Sequence, residues 1–459
     1  MTLSIFIALL ISFPSASPPS SVGSDDWAGW RGPGASGVGA GSPPIEWSEQ
    51  KNVRWKAALP GKGLASPIVW GTRVFVCSAV PTGKKLANPP READSRRGGG
   101  EEDQELEEQE FVVLCFERAS GKELWRKAVN KAMPHQATHP DGSYASPTPV
   151  TDGTHVFVSF GSFGIYALTF AGEIAWQTDL GDLLIRNEFG EGSSPLLLGE
   201  LLVLNWDHEG DSFLVALDKA TGKERWRTPR PKGTSWTTPI VVDTGGTDEI
   251  VVAGTRTAAY DPKSGRELWF FGEAPSGGGG GQMASPVAID ELVLCSIGGR
   301  RGGDIRALVA LPPEEDGGES SAPPGSAEEP GSAEETVPMW TKVADVPGIP
   351  SLLHYQGKLY FLKGNSGILS ALDPTSGAIE YGPERLKGVA DVYASPVAAG
   401  GRLYIAGRDG TVEVLSALPK IETLAVNRLE DAFDASPALA GDELFLRGRA
   451  NLYCIAAAE

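Results

Sequence analysis

Two neighbouring stretches hold the residues best suited to chemistry. RNEFGEGSSP (186–195) and NWDHEGDSF (205–213) supply Glu188, Glu191, Asp207, Glu209 and Asp211, hard oxygen donors of the kind of which Ca²⁺ takes about six to eight. Read as two solvated acidic turns, the same residues would only keep a surface wet. His208 stands beside two of these carboxylates, as a polar member of such a site or as a hydrogen-bonded surface residue. His135 and His139, in HQATHPDG, have a spacing that suits a metal only on one face of a helix, and the Pro and Gly that follow make this a loop. Trp206, inside the acidic stretch, and Trp236, in GTSWTTP, are flat enough to carry a sugar or quinone ring, although packing is the commoner task of a tryptophan.

Other chemistry is thinly represented. Cys77, Cys115, Cys295 and Cys454 each fall inside a predicted strand without a CxxC spacing, which reads as buried thiols and not as a metal site. Cys77 and Cys115 lie on neighbouring predicted strands, so a disulfide between them stays open in an exported chain. No GxSxG, Walker, HExxH or Ser/His/Asp pattern stands in a convincing context, and the glycine run PSGGGGGQ (275–282) lacks the lysine of a phosphate loop.

A repeat must position these residues. ASGKELW (119–125), ATGKERW (220–226) and KSGRELW (263–269) are near copies, extended upstream in CFERASGKELW, ALDKATGKERW, AYDPKSGRELW and ALDPTSGAIEY (371–381), with a looser copy in ALTFAGEIAW (167–176). Each is a short apolar strand, a turn whose Gly can take positive φ, and a strand opening on Trp or Tyr. A second signature precedes each hairpin: ASPIVWGTRVFV at 65, ASPTPV at 145, SSPLLL at 193, TTPIVV at 237, ASPVAI at 284, IPSLLHY at 349, ASPVAA at 394 and ASPALA at 435. Its prolines Pro147, Pro195, Pro239 and Pro286, then Pro350, Pro396 and Pro437, recur every 41 to 48 residues, the length of a four-stranded propeller blade. The expected fold is all-β: an eight-bladed β-propeller of four-stranded antiparallel blades.

The chain ends complete this ring. ASPALAGDELFLRGRANLYCIAAAE (435–459) offers three strands and stops where a Trp strand is due, while NVRWKAALPG (52–61) is a Trp strand with nothing before it. The last blade is therefore expected to close on the N-terminal strand, with Trp55 serving as Trp125, Trp176, Trp226, Trp269, Tyr381 and the Trp340 strand do elsewhere: wedged against the next blade. Residues 46–459 form the propeller, 18–45 a Gly/Pro/Trp-rich extension laid across it, and 82–110 and 312–337 insertions too poor in apolar residues to order. The opening run Leu3–Phe13 has the length of a signal-peptide core and is too short to span a bilayer, so 1–17 reads as a signal and the product as exported, periplasmic or secreted. No later segment is apolar enough to hold it in a membrane.

The formal net charge of −19 is concentrated in those insertions: nine acids against five bases in 82–110, and eight acids against none in 312–337. The propeller itself is only mildly acidic, and without a basic face nucleic acid is not an expected partner.

The pattern Ala-x-Asp-x-x-Thr/Ser-Gly-x-x-x-Trp resembles the tryptophan-docking repeat of pyrroloquinoline-quinone (PQQ) dehydrogenases and of the outer-membrane assembly lipoprotein BamB, over roughly residues 46–459. WAGWRGP and the NVRWKAALPGKGLASPIVWGTRVFV that follows are similar to secreted PQQ-like propellers of undefined activity. The dehydrogenases imply a quinone near the ring axis under a calcium ion, beside an Asp base and a disulfide of adjacent cysteines, and this chain has no Cys-Cys pair. BamB implies a non-catalytic assembly role, without here the lipid-bearing cysteine. Such a repeat specifies packing and leaves activity open. The expectation is a monomeric, non-catalytic binding or scaffolding module for a protein or polymer partner, with a PQQ- and Ca-dependent oxidoreductase and a BamB-like assembly factor as alternatives.

Overall fold

The computed structural model describes residues 25–86, 106–272, 282–299, 302–310, 333–343, 345–417 and 419–457. Their strands form eight antiparallel sheets in sequence order around an axis, an eight-bladed β-propeller. Blades 1 to 8 begin at Ile68, Val150, Leu196, Ile240, Val287, Leu353, Val397 and Ala438. The eighth sheet is completed by Val53–Ala58, which pairs antiparallel with Asn451–Ile455, so the two ends of the chain close one sheet. Middle strands such as Leu202 to Trp206 are buried residue after residue, because each blade is covered on both faces by its neighbours and alternation is lost.

The heptad acts between blades. The turn glycines Gly121, Gly222, Gly265 and Gly377 have φ of 69°, 69°, 72° and 69°, which an L side chain rarely adopts. They also lie flat under a tryptophan of the preceding blade: a Cβ at Gly121, Gly222 or Gly265 would stand 2.5 Å from the ring of Trp55, Trp176 or Trp226. Trp125 covers Gly172 and Trp340 covers Gly377 in the same way. Each indole then donates Nε1–H to a turn carbonyl: Trp55 to Arg118, Trp125 to Phe170, Trp176 to Lys219, Trp226 to Pro262 and Trp340 to Pro374, at 2.8–2.9 Å.

Two positions of the repeat behave differently. Trp269 is fully buried between blades 4 and 5 and donates to Glu249 Oε2 (2.8 Å) within its own blade. Tyr381 packs into the cluster shared by blades 6 and 7, where the blade 7 turn SALPKIE has no glycine to receive it. The segment 82–110 is more ordered at its ends than its composition suggests. Strands Arg73–Leu86 and Leu106–Glu117 run through it, with Leu86 opposite Leu106, and the remainder lies outside the described residues. So do 311–332 of the second insertion and the proposed signal 1–17. Beyond 332, Glu334–Glu335 adds a fifth, parallel strand to the outer edge of blade 4.

Candidate functional site

Every blade is entered through a hydroxyl residue: Ser66, Thr148, Ser194, Thr238, Ser285, Ser351, Ser395 and Ser436, followed by Pro in all but Ser351. Pro keeps the preceding residue extended and brings no N–H of its own to satisfy. The N–H of the hydroxyl residue itself reaches across to the next blade. Ser66 donates to Thr148 Oγ1 (2.9 Å), Thr148 to Ser194 Oγ (3.0 Å), Ser194 to Thr238 Oγ1 (3.2 Å) and Thr238 to Ser285 Oγ (2.9 Å). Ser285 continues to Ser351 Oγ (3.0 Å), Ser351 to Ser395 Oγ (2.9 Å) and Ser395 to Ser436 Oγ (2.9 Å). The result is a collar of buried hydroxyls around the axis. These bonds also correct the repeat register: the sequence reading marks blades 2 and 6 at Pro147 and Pro350, whereas Thr148-Pro149 and Ser351-Leu352 occupy the equivalent places.

The collar surrounds a cavity of about 340 Å³. Trp30 contributes to it from the N-terminal segment, which lies against the inner strands of several blades. Trp27 pairs with Val69, Ala28 O accepts from Thr151 N, and Gly37 and Gly39 bond Ala398. Arg31 anchors the segment: buried, it donates to four carbonyls, of Ala35, Ser36, Leu352 (2.8 Å) and Pro396, and burial lowers its pKa to about 9. At the other end the loop from His139 to Ser146 lines the cavity. Asp141 in that loop pairs with Arg408 (2.8 Å), whose guanidinium lies 3.7 Å from the centroid of the Tyr393 ring. Asp434, buried, accepts from Arg408 Nε (2.7 Å) and Arg449 Nε (2.8 Å). Burial alone would raise the Asp141 pKa, but the Arg408 guanidinium holds it below the usual carboxylate range.

The two tryptophans singled out in the sequence separate. Trp236 is half-buried, lines the cavity and donates Nε1–H to Gly190 O (2.6 Å). Trp206 is only 2% exposed and stacks on Phe213 within the core, so it is not an accessible platform. The five carboxylates separate too. Asp207 is fully buried in a bidentate pair with Arg230 (2.8 and 3.0 Å), which also bonds the Tyr260 hydroxyl. Glu209 accepts from Thr234 N and Oγ1, and Asp211 reaches out to Lys232 at 97% side-chain exposure. Glu188 ends a short 3-10 turn. Glu191 alone of the five lines the axial cavity; both its oxygens accept from Ser162, through N–H (2.8 Å) and Oγ–H (2.6 Å). Burial pushes its pKa up to about 7 against those hydrogen bonds. His208 is buried and accepts Leu184 N–H at Nδ1, and burial lowers its pKa. His139 lines the cavity 3.9 Å from Asp141, while His135 bonds Leu183 O.

A quinone under calcium is what the resemblance implies for this axis, and the residues present do not fit it. Among the described residues no three or more His, Cys, Asp or Glu are grouped to hold a metal ion. The four cysteines are free and buried, and the strand register sets Cys77 opposite Val113 and Cys115 opposite Phe75, so those two do not face each other. Among the described residues no lysine or arginine lines the cavity to meet the carboxylates that PQQ carries.

Comparison with known proteins gives the same architecture. Residues 109–311 match the family described as "Outer membrane protein assembly factor BamB". The quinohemoprotein alcohol dehydrogenase of Comamonas testosteroni superposes with a TM-score of 0.61 at 11% identity, covering 96% of this chain and 82% of that one. The chain shares the fold of the PQQ-like β-propellers. Quinohemoprotein alcohol dehydrogenase ADHIIG of Pseudomonas putida HK5 superposes on this propeller with a TM-score of 0.58 at 12% identity (95% and 81% covered). Saccharomyces cerevisiae Sqt1 does so at 0.53 and 9% (91% and 100% covered). At such identities the likeness is one of fold. No curated protein sequence matches. Among the described residues no helix is long and apolar enough to cross a membrane.

The collar is the part of the site that sequence reading missed. Its signal lies in the quoted motifs: every one carries Ser or Thr at the blade entrance, a regularity that apolar packing does not require.

Proposed function

We propose that this PQQ-like propeller is an exported, non-catalytic binding module that takes its partner at the mouth of the axial cavity. The observation that carries this reading is the cavity itself: a space of about 340 Å³ with Trp30 and Trp236 in its walls, within the size range of small-molecule pockets, about 300–1,000 Å³. Its carboxylates Asp141 and Asp434 are held by Arg408 and Arg449, so they serve the wall's architecture. A thermal-shift screen of neutral sugars, peptides, and PQQ with Ca²⁺, run beside dye-linked oxidation of alcohols and sugars, tests the proposal. Stabilisation that Trp236→Ala abolishes, without turnover, supports it. PQQ- and Ca²⁺-dependent turnover overturns it in favour of an oxidoreductase.

One observation favours a second reading. The outer edge of blade 4 already accepts Glu334–Glu335 as an added strand, the way extended clients dock on sheet edges. Stabilisation by a peptide that is indifferent to Trp236→Ala would move the binding surface to that edge and toward an assembly role.

A further inference from the structure

Three features of the axial cavity narrow what it can hold, and together they specify a ligand more closely than the fold does. The first is the collar. Seven of its hydroxyls accept a backbone N–H from the preceding blade. All eight residues line the cavity, and all are at most 8% exposed. Among the described residues none of these hydroxyls donates to a protein acceptor. A hydroxyl that accepts keeps a proton to donate, and donors lining a cavity are open to a ligand's acceptors. The collar therefore asks for a ligand bearing many acceptors.

The second feature is charge. The titratable groups lining the cavity are His139, Asp141, Glu191, Asp434 and the Tyr393 phenol, and among the described residues no lysine or arginine lines it. An anion would meet carboxylates with no cation to pair with. A cation gains little either, because Arg408 already faces Asp141 and Asp434, and Arg449 also bonds Asp434. The third feature is the aromatic surface: Trp30, Trp236, Phe189 and Tyr393 bring apolar faces to the same space, suited to the C–H face of a ring whose edge carries hydroxyls. A purely apolar ring would leave the collar unsatisfied.

We infer that the axial cavity binds a neutral sugar, one or two units at the end of a glycan chain, with Trp236 as the stacking platform and the Ser/Thr collar as the hydroxyl-recognising surface. This rests on the binding-module reading and names its occupant. The cavity volume of about 340 Å³, at the small end of ligand pockets, admits a chain terminus and leaves the remaining units outside it.

Calorimetry and intrinsic tryptophan fluorescence with glucose, N-acetylglucosamine, maltotriose and cellotriose, against glucuronate and PQQ, test the inference. At least one neutral sugar should bind saturably, bind more tightly than glucuronate, and lose about tenfold or more in affinity on Trp236→Ala, the loss of a stacking contact. Trp236→Phe, which keeps a ring and loses the Gly190 hydrogen bond, should retain most of the affinity and guards against misfolding of the alanine variant. Tighter binding of glucuronate or PQQ than of any neutral sugar overturns the sugar assignment. So does a Trp236-dependent peptide ligand with no sugar binding, while leaving the binding module intact. Absence of any Trp236-dependent ligand sinks both.

Discussion

Glu191→Gln offers a sharp test of the physics of the cavity wall. The Glu191 carboxyl is buried, bonded to Ser162 through both oxygens, and raised from 4.5 to about 7 by that burial. A carboxyl with a folded pKa above its unfolded value binds more protons in the folded state. Stability then falls as pH rises from about 4.5 to about 7, and levels off above. At about 1.4 kcal/mol per pKa unit, the penalty from this one group grows from about 1 kcal/mol at pH 5 to about 3 kcal/mol at pH 8. Glutamine keeps the shape and an acceptor for the Ser162 N–H but cannot ionise. Urea unfolding of both proteins at pH 5 and pH 8 should therefore show the variant gaining on the wild type by about 2 kcal/mol between the two. Any constant cost of the amide cancels in that difference. A difference between the proteins that stays flat with pH, or a wild type that gains on the variant as pH rises, would refute a buried, proton-retaining Glu191.

The remaining predictions concern other parts of the ring. Arg230→Met strands the fully buried Asp207 and should cost about 3–5 kcal/mol in denaturant unfolding, while adding Asp207→Leu should restore most of it. Gly265→Ala puts a Cβ against Trp226 at a φ of 72° and should lower the melting temperature markedly, whereas the same change at Gly71, which has open space around it, should cost only the backbone strain, about 1–2 kcal/mol. The four thiols, buried and pushed up to about 12, should not react with a disulfide reagent at pH 8 until the protein is unfolded, when all four should titrate. Arg31→Met leaves the Leu352 and Pro396 carbonyls without their donor. It should expose the N-terminal segment to limited proteolysis before any blade is cut.

What could be read from the sequence was what repeats. Trp55, Trp125, Trp176 and Trp226 stand at one place in a motif, and the glycines beneath them were visible as the only residues able to take the turn. Trp269 shows the limit of this logic: its own heptad is complete, but its indole bonds Glu249 of its own blade and not a turn of the next. The structure disperses the carboxylates for a related reason. Asp207 finds its cation 23 residues away and Glu191 its hydroxyl 29 residues away, in other strands or blades, so five acids close in sequence need share no site. Trp206 and Trp236 look equivalent in composition. Only strand position distinguishes them, one ending a strand buried on both faces and the other leading into an inner strand from the cavity side.

The collar and the N-terminal segment join these levels. A repeat needs something at the axis to set how many blades fit, because the inner strands are short: Ile68–Trp70, Leu196–Leu198 and Val287–Ile289 have three residues each. Hydrogen bonds from seven of the eight blade entrances to the next help fix that spacing, and they do so with hydroxyls that retain donor capacity. The device that registers the blades thus also makes the axial surface polar. The N-terminal segment then adds Trp30 to this space, held by a guanidinium whose acceptors come from its own segment and from blades 6 and 7. Because Trp30 follows that anchor into the cavity wall, substitutions that loosen Arg31 should weaken ligand binding and free the N-terminal segment together, whereas Trp236→Ala should affect chiefly the first.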